Sequence, residues 1–279
     1  MITSSQLNTI LERAYVPEQV TDYVTAVSGA EPFLFEDFLV YLREKHLIFV
    51  GYPFGDAFKE QRMKKALDEA VKRFNPARIA LTAPCIPASL YPMTSLSSDQ
   101  YYRLELASLS VSQKVRNMVK RAERLLKVER RKTLNEEHEE LVREFLKAHP
   151  VSQETQFIFE RIPGYVSSTG TAWVFDARNE RGDLVAFDVA EMGPKEYAFY
   201  MFNFVSRNYF APGASDLLLR EVIRHAQRED KRYINLGLGV NPGVTFFKEK
   251  WGGRPFLPYV FVDYAPAGDG GLEGVLQKL

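Results

Sequence analysis

Apolar positions recur at helical spacing in several stretches of the chain and alternate in others. Met63, Ala66, Leu67, Ala70, Val71 and Phe74 fall three and four residues apart, which predicts a helix over 58–74. Residues 17–27, 136–148, 153–161, 214–228 and 244–251 read the same way. Phe33–Leu42 and Leu47–Tyr52 are aromatic and β-branched runs on either side of a charged turn, which predicts a hairpin. Further strands are expected at 78–83, 101–107, 233–238 and 256–264. Three more, 171–177, 183–191 and 196–205, are joined by short turns at Asn179–Gly182 and Met192–Lys195, so they form an antiparallel meander. Segment 84–99 carries three prolines and reads as a surface loop, as does 161–170, and the Gly-rich stretch Gly268, Gly270, Gly271 and Gly274 reads as loose.

Composition places this pattern in a folded protein. The 279 residues are 46% hydrophobic and 26% charged, average for a globular chain, and the length suggests roughly two domains. Lys and Arg number 36, as do Asp and Glu, so bulk charge gives no footprint for coating nucleic acid. The single cysteine, Cys85, excludes an intrachain disulfide, and the four histidines, His46, His138, His149 and His225, are too scattered to suggest a metal site. No basic leader opens the chain and no apolar run approaches the roughly 18 residues of a membrane span, so a cytoplasmic protein without a membrane span is expected.

Local charge is less even. Over 112–132 an apolar stripe of Val115, Met118, Val119, Ala122, Leu125 and Leu126 predicts one amphipathic helix. Nine basic residues against Glu123 and Glu129 leave an excess of seven positive charges there. Such a stripe is either a solvated helix face or an anchor for phosphates. In the meander, alternation places Glu191 on a face with Val185, Phe187 and Val189, where a carboxylate has a raised pKa and is a candidate general base. Asp188, on the opposite face, is a second candidate.

The segment Asn241-Pro242-Gly243-Val244-Thr245-Phe246-Phe247-Lys248-Glu249-Lys250-Trp251-Gly252 resembles the N-x-x-A-x-x-F-Y-E-K-x-G pattern of the GNAT acyltransferases. Asn241, Phe247, Glu249, Lys250 and Gly252 match, and Lys248 stands where that family often has a tyrosine acid. Phe-Lys-x-x-aromatic-Gly resembles the FemAB branch instead, which uses aminoacyl-tRNA to build peptidoglycan precursors. Phe49-Val50-Gly51-Tyr52-Pro53-Phe54-Gly55, the basic segment with Arg121-Ala122-Glu123-Arg124, and Asn235-Leu236-Gly237-Leu238 resemble the catalytic domain of phosphatidylglycerol lysyltransferases, with Tyr52 in place of an aspartate.

These resemblances imply an α+β, tandem GNAT-like fold of mixed, mostly antiparallel sheets flanked by helices. Residues 1–110 would form a degenerate first half and 111–279 the half that carries the site. They imply an N-acyltransferase working by direct attack of an amine on an acyl or aminoacyl donor. Lys248, Glu191 and Asn203 are then the expected catalytic residues, and Phe204, Val205, Arg207, Gly213, Ala214, Ser215, Asn241 and Phe247 the expected donor-binding ones, with Tyr200 on the strand lining the acyl site. The family phosphate loop falls on Tyr209–Ala214, where Pro212 offers no N–H and Tyr209 is not a cation. The donor is therefore either acetyl-CoA (or another acyl-CoA) or aminoacyl-tRNA, and no metal is expected. The acceptor is a small-molecule or peptide amine, a cell-wall precursor in the FemAB version. A degenerate GNAT domain that binds without chemistry is the competing reading.

Overall fold

A computed structural model describes residues 2–87 and 96–266; half of the expected 84–99 loop and the Gly-rich stretch lie outside the described residues. In chain order the elements are α1 (Ser4–Arg13), a 3-10 turn (Pro17–Gln19), α2 (Thr21–Ser28), β1 (Glu31–Phe35), β2 (Phe38–Arg43), β3 (His46–Val50), α3 (Glu60–Phe74), β4 (Arg78–Ala83) and β5 (Ser97–Glu105). There follow α4 (Gln113–Glu123), β6 (Lys127–Arg131), α5 (Glu136–Ala148), α6 (Gln153–Phe159) and α7 (Ile162–Ser168). The remainder is β7 (Ala172–Arg178), β8 (Leu184–Glu191), β9 (Tyr197–Val205), α8 (Ala214–Arg228), β10 (Tyr233–Leu238), α9 (Pro242–Lys250) and β11 (Arg254–Tyr264).

The chain divides into two compact units, one built from Ala30–Ser98 and the segment from Pro258 onward, the other from Thr3–Gly29 and Asp99–Leu257. This division differs from a junction near residue 110, because β11 returns late in the chain to pair antiparallel with β4. The first unit has strand order β1-β2-β3-β4-β11, with β3 and β4 parallel across the α3 crossover. Its core gathers Phe38, Phe49, Met63, Leu67, Ile79, Leu81 and Val262. Gly51 follows β3 where α3 crosses closely: a Cβ there would lie 2.7 Å from both Ala83 Cβ and Met63 Sδ.

In the second unit the strand order is β5-β10-β9-β8-β7-β6. The expected meander is β7-β8-β9, antiparallel throughout, while β9 and β10 are parallel and joined by α8. Every residue of β8 is buried, because helices cover both faces. One face packs α4 and α8 through Val115, Val119, Leu217, Leu218 and Val222 onto Ala186, Ala190 and Ala198. The other packs α2, α5, α6 and α7 through Tyr23, Leu141, Phe159 and Tyr165 onto Val174, Phe187 and Phe204.

Four local expectations change. The run 33–42 is two strands, since Glu36 turns the chain at φ +52°. Helix α1 was not foreseen, and 161–170 contains α7, whose Pro163 sits in the first turn where a missing N–H costs nothing. The basic stretch 112–132 is not one helix: it is α4 followed by β6, an edge strand paired only with β7. Its cations suit an edge, where charged side chains discourage further pairing. Arg131 is bound to the buried Asp176 at 2.9 Å, and His138 donates to or accepts from the same carboxylate at 2.9 Å. The charge excess is thus spread over a helix, a strand and the residues Arg124 and Lys132 that follow them.

Gly51→Ala should lower the stability of the first unit by about 1–3 kcal/mol, the usual penalty for overpacking, and a thermal or urea melt of the full chain reads it.

Candidate active site

The site begins with an irregularity in the β8–β9 ladder. Val189 pairs with Phe202 but Ala190 pairs with Tyr200, so Met201 is an extra residue, a β-bulge. Across a regular strand Tyr200 and Asn203 would face opposite ways; the bulge turns both toward Asp188. The Asn203 amide donates to Asp188 Oδ1 at 2.6 Å and the Tyr200 hydroxyl to the same oxygen at 3.1 Å. Ser215, in the first turn of α8, donates to Asn203 Oδ1 at 3.0 Å. Asp188 is fully buried, and its Oδ2 meets no donor. Burial pushes this carboxyl well above the usual range, against the lowering effect of the two hydrogen bonds. Burial, then Asp188 itself, likewise raises the Tyr200 phenol.

Beside this cluster the sheet opens. The parallel ladder between β9 and β10 runs from Tyr197–Tyr233 to Phe199–Asn235 and stops. Asn235 is buried; its amide donates to Tyr15 O and its carbonyl accepts from the Gly237 N–H, both at 2.8 Å. Gly237, at φ +77°, then carries the chain away from β9. On the β9 side, the Tyr200 ring stacks on Phe247 of α9 with centroids 6.4 Å apart.

The next residue, Lys248, is buried, with its ammonium donating to Leu238 O and 5.9 Å from the Tyr102 ring centre. Desolvation pushes its pKa down to about 8, with the Asp99 charge opposing. A Cβ at Gly237 would meet only this ammonium, at 3.7 Å, so the amine borders open space beside β10.

Helix α8 starts at Gly213, φ +81°, without a side-chain cap. A Cβ on Gly213 would lie 2.9 Å from Met118 Cγ, so this glycine admits α4 against α8. Lys114 and Arg121, one turn before and after Met118, are exposed on either side of that crossing. Asp216, an acid in the first turn of α8, also accepts from Trp251 Nε1 at 2.8 Å and pairs with Lys250 at 2.8 Å, tying α9 to α8.

Asn203, Gly213, Ala214, Ser215, Phe247 and Lys248 therefore lie on the elements that border this opening, and Val205 packs on the α4–α8 side. Two expected residues, Glu191 and Phe204, lie apart from it. Glu191 points to the other face of β8, where Tyr165 donates to it at 2.5 Å and the Met192 and Gly193 amides at 3.0 and 2.7 Å. Its carboxylate is occupied, and it braces α7 and the β8–β9 turn. Phe204 belongs to the α5–α6 core, stacked on Phe187 at 5.1 Å. Arg207 is exposed. Asn241 caps α9, accepting the Val244 N–H at 3.0 Å. The Asp99 and Met118 contacts had no signal in the sequence beyond a polar residue and one member of an apolar stripe.

The family model described as "Phosphatidylglycerol lysyltransferase, C-terminal" matches residues 29–257. The chain belongs to this family. No curated protein matches the sequence. Among solved structures, the phosphatidylglycerol lysyltransferase C-terminal family is represented by the C-terminal domain of a putative lysylphosphatidylglycerol synthetase from Agrobacterium fabrum, 16% identical, TM-score 0.62, covering 97% of this chain and 93% of that one. FemX is 10% identical with TM-score 0.62, over 100% of this chain and 99% of the other. A tandem GNAT protein from the clavulanic acid biosynthesis pathway is 12% identical with TM-score 0.52, over 84% and 79%. These likenesses establish the GNAT-like fold of this family member. Among the described residues no helix is long and apolar enough to cross a membrane.

Lys248 gives a pH signature. Its folded pKa of about 8 lies below the ordinary 10.5, so between those values the unfolded chain holds a proton that the folded chain lacks, and this group makes stability rise with pH across that window. Urea melts at pH 8 and pH 10 should show that rise in the wild type, and Lys248→Met should reduce it.

Proposed function

We propose that this chain is an aminoacyltransferase that moves an aminoacyl group from aminoacyl-tRNA to an amine by direct attack. The observation that carries the reading is the Asp188–Asn203–Ser215 chain of hydrogen bonds, which ends at the start of α8 beside the opening between β9 and β10, with Lys248 buried at the same opening. The amine nitrogen attacks the ester carbonyl carbon; the carbon–oxygen bond to the ribose then breaks, and the proton lost by nitrogen ends on the departing oxygen. Lys248 supplies positive charge to the oxyanion or to that leaving oxygen. Asp188 and Asn203 act as positioning residues that hold Tyr200 and Ser215. A lysine with a pKa of about 8 serves either as a charge or as a proton donor near neutrality.

Lys114 and Arg121, flanking the α4–α8 crossing, fit the phosphates of a nucleic-acid end. The family's description and the lysylphosphatidylglycerol synthetase and FemX likenesses support an aminoacyl donor. Acyl-CoA is the second reading, favoured by the uncapped α8 N-terminus. Pro212 has no N–H to offer a pyrophosphate, and Met118 covers the point where it would approach Gly213.

The test supplies labelled aminoacyl-tRNA or labelled acetyl-CoA with a simple amine. Transfer is expected from aminoacyl-tRNA, reduced about 10²–10³-fold in kcat by Lys248→Met, as for removal of an oxyanion donor. Transfer from acetyl-CoA alone would establish the second reading. Binding of either donor without transfer, unchanged in Lys248→Met and Asp188→Ala, would leave a non-catalytic binding domain.

A further inference from the structure

Val240 is a β-branched residue held at φ +62°. Side chains branched at Cβ avoid this region for steric reasons, and a branched residue there is an outlier. The Asn241 N–H closes onto Gly239 O at 2.7 Å, a bond spanning two residues with Val240 at its centre. With positive φ this is the rare, strained form of the γ-turn. The surroundings enforce it. Asp99 accepts the Gly239 N–H at 3.1 Å and the Val240 N–H at 2.8 Å, one on each carboxylate oxygen. The Thr245 hydroxyl donates to Gly239 O at 3.3 Å.

Glycine would adopt this conformation without strain. The chain instead places there an isopropyl group that remains 73% exposed, so its burial does not offset the strain. Backbone strain that the fold over-determines clusters where ligands are gripped. The position agrees, since the turn follows Leu238, whose carbonyl receives the Lys248 ammonium. Two more apolar side chains stand out nearby in the topology: Phe246, 64% exposed, in α9, and Phe210, 74% exposed, between β9 and α8. Because β9 and β10 are parallel neighbours, the segments that follow them leave the sheet at the same end. Three exposed apolar groups thus mark the end at which those strands part.

We infer that Val240 is a specificity-determining contact for the acceptor, its γ-turn presenting the isopropyl group to an apolar portion adjacent to the acceptor's nucleophilic nitrogen. The ligand class is an alkyl-bearing amine, in contrast to a fully polar one. The inference rests on the transferase reading above for the identity of the nucleophile; the strained turn and its exposed side chain stand independently of it.

The experiment uses the full chain and a series of n-alkylamines from ethylamine to hexylamine. With aminoacyl-tRNA as donor, KM should fall as the alkyl chain lengthens, by up to about fourfold for each methylene that becomes buried. Val240→Gly, which accepts the same backbone, should cut the KM advantage of hexylamine over ethylamine about tenfold, the scale of losing one small apolar contact surface. Val240→Ile should restore it. An unchanged KM ratio in Val240→Gly overturns the inference. Calorimetric titration with the same amines needs no turnover and separates the two failures. If no amine is acylated, the transferase reading falls, while chain-length-dependent binding lost in Val240→Gly still upholds the role of Val240. Wild-type binding that does not depend on chain length overturns it.

Discussion

The second unit depends on two parallel strands that cannot stay paired. β9 and β10 share three registered positions, after which each must satisfy its backbone elsewhere. β10 does so against β5 and through Asn235, whose side chain takes the Gly237 amide and reaches Tyr15. β9 continues beside β8 through the bulge at Met201, and that bulge brings Tyr200 and Asn203 onto one acid. The helices that follow these strands, α8 and α9, then start on either side of the opening, tied together by Asp216 with Lys250 and Trp251. A longer ladder would close the opening and leave Asp188 as an unexplained buried acid.

The opening is expensive in free energy, which is informative. It contains a fully buried carboxyl with one unpartnered oxygen, a buried lysine and a branched residue in a left-handed turn. Each is destabilising in isolation. The two large apolar clusters on the faces of β7, β8 and β9 supply the stability against which these groups are held. By contrast Glu191, equally buried, has three donors on its carboxylate, which is how a structural acid differs from one that remains available.

Much of this was legible where periodicity and turn chemistry agreed. The β7–β8–β9 meander announced itself by alternation between Gly-containing turns, and α8 by its leucines from Ala214 to Arg228. Lys248 and Phe247 were identified by a motif that the fold places at the opening. The choice between Asp188 and Glu191 was not legible: alternation assigns them to opposite faces, but β8 is buried on both, and only the packed structure shows which face carries α8. Nor was the split of 112–132, since cationic side chains suit an exposed helix face and an edge strand equally well. The turn at Glu36 and the γ-turn at Val240 lack the glycine that would mark them; the latter is held by hydrogen bonds that Asp99, distant in sequence, accepts from the Gly239 and Val240 N–H groups.

The interleaving of the two units bears on how the chain acquires its structure during synthesis. The first unit lacks one strand of its sheet until β11, the last described element, has been made, by which time every other strand and helix of both units already exists. Thr3–Gly29, made first, must wait for β7, β8 and β9 before its α2 finds a surface to cover. The first unit, although its strands are begun earlier, therefore cannot mature on the ribosome ahead of the second, which reverses the usual N-to-C order. Late, long-range closure by β11 makes folding slow relative to chain length, and leaves the β4 edge as the surface most in need of protection until then.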